Sequence, residues 1–121
     1  MRAQNIIALA ILLSTLALFT IGTGCEQEST GSAIFDREPQ TYTVEIIDYE
    51  FSPDTIAIHK GDTIQWINKG SSMHDVRSNE GRFYSIPLGT GETYSFTFHE
   101  AGIFKYRCGM HPTMEGTIIV E

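Results

Sequence analysis

From residue 41 to the C-terminus, apolar and polar residues alternate in short runs separated by turn-forming residues. Residues 41–48 alternate for most of their length, and 55–59 form a shorter run before the turn Lys60-Gly61-Asp62. In 63–68, Ile64 and Trp66 fall on one face, and in 93–98 Tyr94, Phe96 and Phe98 do the same. Residues 102–107 set Phe104, Tyr106 and then Cys108 against Lys105 and Arg107, and 116–120 make a last apolar run. Period-two alternation of this kind predicts strands with one buried face. Residues 73–77 are expected to open another strand, and 49–54 reads as a turn through Pro53. Residues 78–91, with Asn79, Gly81, Pro87, Gly89 and Gly91, are the least regular part. No window shows helical periodicity and no segment repeats. Seven or eight short strands in about 80 residues predict an all-β Greek-key sandwich, with Phe51, Trp66, Phe96, Phe98, Phe104 and Tyr106 as candidate core.

The first 24 residues follow another rule. Arg2 gives a positive start, and 6–21 are apolar except for Ser14, Thr15 and Thr20, which reads as an export signal. The run is near the lower limit for a spanning helix, for which roughly 20 apolar residues are needed, so an uncleaved anchor is the alternative. It ends in Gly22-Thr23-Gly24-Cys25, which resembles the bacterial lipobox, in which the Cys is lipidated and becomes the new N-terminus; Gly22 stands where Leu is usual. A chance Cys, or a disulfide partner for Cys108, are the other readings of Cys25. Residues 26–33 are polar and poor in apolar groups, a linker's composition. The expected organisation is signal 1–24, tether 25–40 and folded domain 41–121, exported to the periplasmic or cell-surface face of the cytoplasmic membrane.

Charge and cysteine content narrow the function. Beyond position 24 there are seven Lys and Arg against fifteen Asp and Glu, a formal net of −8, which suits neither nucleic acid nor anionic lipid. If Cys25 is at the membrane, Cys108 is a lone thiol in an oxidising compartment, and metal ligation would protect it.

The stretch that carries chemistry is Cys108-Gly109-Met110-His111-Pro112-Thr113-Met114. It spaces a thiolate, an imidazole and a thioether at intervals of three in a loop pinned by two strands. Copper suits these soft donors best, because two His, one Cys and a weak axial Met form the donor set of blue-copper electron-transfer sites. Zinc would explain Cys and His, but Met is a poor zinc ligand. The second His must come from His59, His74 or His99. His59 and His99 sit in ordinary turn sequence.

At this point the domain resembles the cupredoxins, specifically their plastocyanin and amicyanin branch. The resemblance runs from Phe51-Ser52-Pro53 through residues 61–68 and His74-Asp75-Val76 to Tyr106-Arg107-Cys108 and the Cys108-x-x-His111-x-x-Met114-x-Gly116 loop, whose short His-to-Met gap is like that of amicyanin. It implies a cupredoxin-like sandwich, one copper ion, and the ligands His74, Cys108, His111 and Met114. The position after the first His is often Asn in plastocyanin-like members, tying the ligand loops together. Asp75 there would make a similar tie, or add negative charge and lower the potential. Pro112, with no N–H, removes one possible donor to the sulfur. The resemblance also implies that His111 is the imidazole whose edge reaches solvent, with Met110, Pro112, Met73, Thr113 and Pro87 as candidates for an apolar docking patch.

The implied function is single-electron transfer between redox protein partners by a monomer cycling between Cu(II) and Cu(I), not an enzymatic reaction. A copper store or chaperone is the alternative, favoured by Met73, Met110 and Met114, since thioethers bind Cu(I). Four His in all are too few for the further copper centre of a multicopper oxidase or nitrite reductase, and the chain has no C-x-x-C-H for a c-type haem.

Overall fold

A computed structural model describes residues 36–121; the expected export signal, Cys25 and most of the expected tether lie outside the described residues. The compact unit Glu38–Glu121 contains eight strands: β1 (Thr41–Ile47), β2 (Glu50–Ser52), β3 (Thr55–Ile58), β4 (Thr63–Asn68), β5 (Arg77–Ser78), β6 (Thr93–Thr97), β7 (Gly102–Arg107) and β8 (Glu115–Val120). They form two four-stranded sheets, in the orders β2-β1-β4-β6 and β3-β8-β7-β5. The pairs β1 with β4 and β3 with β8 are parallel, and the other pairs are antiparallel. This is the Greek-key β-sandwich that the alternation predicts. No helix occurs among the described residues.

Alternation produces the core directly. Val44 and Ile46 of β1, Ile64 and Trp66 of β4, Tyr106 of β7 and Ile118 and Val120 of β8 point inward from alternate positions. Of the expected core residues, Phe51, Trp66, Phe98 and Tyr106 are buried, whereas Phe96 and Phe104 are only partly buried against the cluster. Phe83 and Leu88, from the irregular stretch, complete it. Trp66 stacks between Phe83 and Tyr94 with ring centroids 5.6 Å away on each side, and takes the edge of Tyr106 at 5.4 Å. Gly116 lies opposite Tyr106 in the β7–β8 ladder, and a Cβ there would collide with the Tyr106 ring. The glycine thus lets that ring lie across the ladder two residues before Cys108.

Two local expectations are corrected. Residues 50–52 are not part of a turn: β2 folds back on β1 with Ile46 opposite Phe51. Three residues are too short a run to show a period, and Phe51 is drawn into a strand by burial. Residues 73–76 are not a strand either; only Arg77 and Ser78 pair with β7. His74, Asp75 and Val76 are buried consecutively, which a strand with one solvent face cannot do. Instead the segment is strapped across a loop, with His74 bridged to Leu88.

Candidate metal centre

The first half of the site is built from the end of β4. Asn68 is fully buried, and its Nδ2 donates to the carbonyls of Ser72 at 2.9 Å and Leu88 at 2.8 Å, while its Oδ1 accepts from the Gly70 N–H at 2.9 Å. One amide thereby fixes both the 69–72 turn and the Leu88 strap. His74 exchanges two backbone hydrogen bonds with Leu88, at 3.2 and 2.6 Å, and is wholly buried. Its Nε2 lies 2.8 Å from Asp48 Oδ1. A carboxylate kept ionised can only accept, so Nε2 carries the proton and Nδ1 presents its lone pair. Asp48 is itself held by the Ser71 N–H at 2.8 Å, the Ser71 hydroxyl at 2.7 Å and the Ser72 N–H at 3.3 Å. The hydrogen bond from His74, followed by those from Ser71, holds its carboxyl well below the usual carboxylate range. A Cβ at Gly70 would strike the Asp48 carboxylate, so the turn needs glycine to approach so closely.

The second half is the loop between β7 and β8. The Cys108 N–H donates to Met114 O at 3.1 Å and the Met114 N–H to His111 O at 2.9 Å, which folds the loop onto itself. Cys108 and Met114 are buried, Cys108 is a free thiol, and His111 is half-buried. Cys108 Sγ lies 3.9 Å from His74 Nδ1 and 3.7 Å from His111 Nδ1. One donor atom from each of the three residues lies within 4.8 Å of the others. Metal bonds of roughly 2.0–2.3 Å from a common centre span edges of about 3.3–4.0 Å, the range of the two sulfur-to-nitrogen distances. Two loops framed by backbone and side-chain hydrogen bonds thus bring the donors to one point. His59 and His99 are exposed in turns, as expected.

Asp75 joins the halves. Fully buried, it accepts the Gly109 N–H at Oδ1 at 2.6 Å and faces Cys108 Sγ at 3.4 Å, while its own N–H lies 3.5 Å from that sulfur. Its Oδ2 accepts from Arg77 Nε at 2.7 Å. Burial pushes its carboxyl up, but the Arg77 hydrogen bond, the Gly109 N–H, the Cys108 thiol and the Arg77 charge together bring it below the ordinary value.

Around the donors, Met73 and Met110 are about half exposed and Pro112 is exposed. Tyr49, also exposed, sets its ring edge against His111 at 4.9 Å and His74 at 6.0 Å. Asp48, Tyr49, Asn68 and Arg77 are parts of the site that the motif does not reveal. Asn68 left a trace, as a polar residue at an inward position of an apolar strand. Nothing in the sequence separates Asp48 from the chain's other carboxylates.

Two imidazoles and a buried thiol, with a methionine closing the same loop, match the donor set of a type 1 copper centre, and a single copper ion is the cofactor that this site fits. The fold and the site together define a cupredoxin. The chain belongs to the cupredoxin-like family: the family profile described as "Cupredoxin-like domain" matches residues 8–120. Within it the chain falls in the plastocyanin/amicyanin branch. It is 31% identical to the amicyanin of Paracoccus denitrificans over 83 residues, 64% of this chain and 63% of that protein, so the match spans just under two thirds of that relative's length. It is 30% identical to the plastocyanin of Scenedesmus fuscus over 87 residues, covering 59% of this chain and 86% of that one. A solved structure, the novel purple cupredoxin from Nitrosopumilus maritimus, superposes with a TM-score of 0.61 at 30% identity, over 66% of this chain and 99% of the other.

Proposed function

We propose that this protein is a blue copper electron carrier that passes single electrons between protein redox partners, exported and held near a membrane by its N-terminal segment. The observation that carries the reading is the convergence of His74 Nδ1, Cys108 Sγ and His111 Nδ1 on one point. Copper bound there would supply a one-electron Cu(II)/Cu(I) couple. Cys108, His74 and His111 would hold the ion, with Met114 as a weaker fourth donor.

The chain's own residues serve that couple by moving little. Asp48 fixes the tautomer and ring plane of His74. The backbone bonds of Cys108 and Met114 keep the loop closed. His111, half-buried beside exposed Met110 and Pro112, is the point of electron entry and exit, and Met73 extends the patch. Small apolar patches suit the brief contacts of redox proteins.

The tether reading is supported by the course of β1. Thr41 pairs with Thr63 at the start of β4, while Asp48, just past the other end of β1, touches His74. The chain before residue 40 thus joins the domain at the end of the sheet remote from the metal donors. Lipidation at Cys25 and a monomeric state complete the proposal; mass spectrometry of membrane-extracted protein tests the first, since a lipid on Cys25 and an intact Met1 exclude each other.

A copper store or chaperone is the second reading, favoured by the exposed thioethers of Met73 and Met110 beside the two His ligands. The visible spectrum decides. Metal-free protein given one equivalent of Cu(II) should turn intensely blue, bleach with ascorbate and recover with an oxidant. Colourless copper binding would favour the store, and no binding would overturn both readings.

A further inference from the structure

Asp75 poses an electrostatic problem. Its Oδ1 lies 3.4 Å from Cys108 Sγ, where in the metal-free protein the thiol can donate to it. To bind a metal the sulfur must become a thiolate, the donated proton is lost, and two negative atoms then face each other inside the protein, where repulsion is weakly screened. A buried carboxylate in that place needs a counter-charge.

Arg77 is placed to provide one. Its Nε donates to Asp75 Oδ2 at 2.7 Å, so the charge sits on the oxygen turned away from the sulfur. Meanwhile Oδ1 is engaged by the Gly109 N–H at 2.6 Å. The Arg77 side chain also lies where a side chain at 109 would be: a Cβ built on Gly109 would run into Arg77 Nε and sit 2.8 Å from its Cδ and Cζ. Three features from two segments, Asp75 after His74, Arg77 opening β5 and the missing side chain at Gly109, fit one another.

We infer that Asp75 and Arg77 act as one electroneutral clamp between the two ligand loops, and that Arg77 is a positioning residue for the copper site although it touches none of the metal donors. Arg77 fixes the carboxylate so that Oδ1 grips the Gly109 N–H, and its charge cancels the one Asp75 would otherwise place beside the thiolate. The electrochemical half of this inference rests on the copper reading above; the structural half does not.

The test uses the full chain with Arg77→Gln, Asp75→Asn and the double substitution. With copper loaded, Arg77→Gln should move the balance toward Cu(II) by about tenfold at fixed ambient potential, about 59 mV for one electron; the Arg77 side chain is 57% exposed, which limits the shift. In the Asp75→Asn background the same substitution should shift the balance less than about threefold, because Arg77 then lacks the carboxylate that holds it beside the site and its charge is screened by solvent. Equal shifts in both backgrounds, or none in either, overturn the clamp. In metal-free protein, Arg77→Gln should speed hydrogen exchange at the Gly109 amide by about tenfold while the Trp66 and Ile118 amides keep their protection. Unchanged exchange at Gly109 also overturns it. A wild-type protein that takes up no copper would sink the proposed function, and the exchange experiment would still decide the clamp.

Discussion

His74 and His111 offer the same ring nitrogen to the same sulfur at nearly the same distance, 3.9 and 3.7 Å, from opposite surroundings. His74 is wholly buried, its far nitrogen is bound to Asp48, and its backbone is strapped to Leu88. His111 is half-buried, and among the described residues its far nitrogen has no hydrogen-bond partner; its support is the loop that carries it and the edge of Tyr49. One imidazole is fixed by the fold and the other is left near solvent. A metal held between them would have one ligand rigidly framed and one near solvent.

The comparison can be broken or sharpened by substitution. Removing what both halves share should have the largest effect: Cys108→Ala should abolish the blue band entirely, and any remaining intense visible absorption would mean that the sulfur is not the ligand. Next comes the frame of the His74 half. Asn68→Ala leaves the Ser72 carbonyl and the Gly70 N–H without partners and takes one of two donors from the Leu88 carbonyl; at about 1–3 kcal/mol for each buried group left unpaired, partly relieved by water, it should cost about 2–4 kcal/mol in denaturant unfolding of the metal-free protein. A loss below 1 kcal/mol would show that the 69–72 turn stands without it.

Asp48→Ala acts on the His74 half only, through the imidazole and through the Ser71 and Ser72 donors. Losing the carboxylate that orients a ligating imidazole should weaken copper binding by about 10–100-fold in a competition titration; unchanged affinity would make the contrast between the two histidines one of burial only. The smallest effect is expected on the His111 side. Tyr49→Ala removes an exposed ring in edge contact, worth about 0.5–1.5 kcal/mol beyond its area at most. It should change copper affinity by less than about threefold while altering the rate of electron exchange with a small redox reagent. An affinity loss as large as that of Asp48→Ala would erase the asymmetry.

Much of this arrangement was legible beforehand, for identifiable reasons. The β-sandwich follows from period-two alternation, because inward and outward positions on a strand differ chemically and the chain records the difference. Cys108, His111 and Met114 are legible because they share one short loop, where spacing in sequence is close to spacing in structure. His74 was reached through family resemblance, not through spacing. The missed elements fail the same criteria: β2 is three residues long, and 73–76 is held by Leu88 rather than by a sheet.

The sequence by itself therefore determined the fold class, the loop that holds three of the donors and the chemistry those donors favour, since each depends on residues near one another in the chain. Only the tertiary structure decided which carboxylate orients His74 and which cation answers Asp75. Asp48 is 26 residues from His74, and Asp75 is 33 and 34 residues from its contacts in the second loop. Such partners are chosen by how the two sheets bring their ends together, and no local pattern in the chain records that choice.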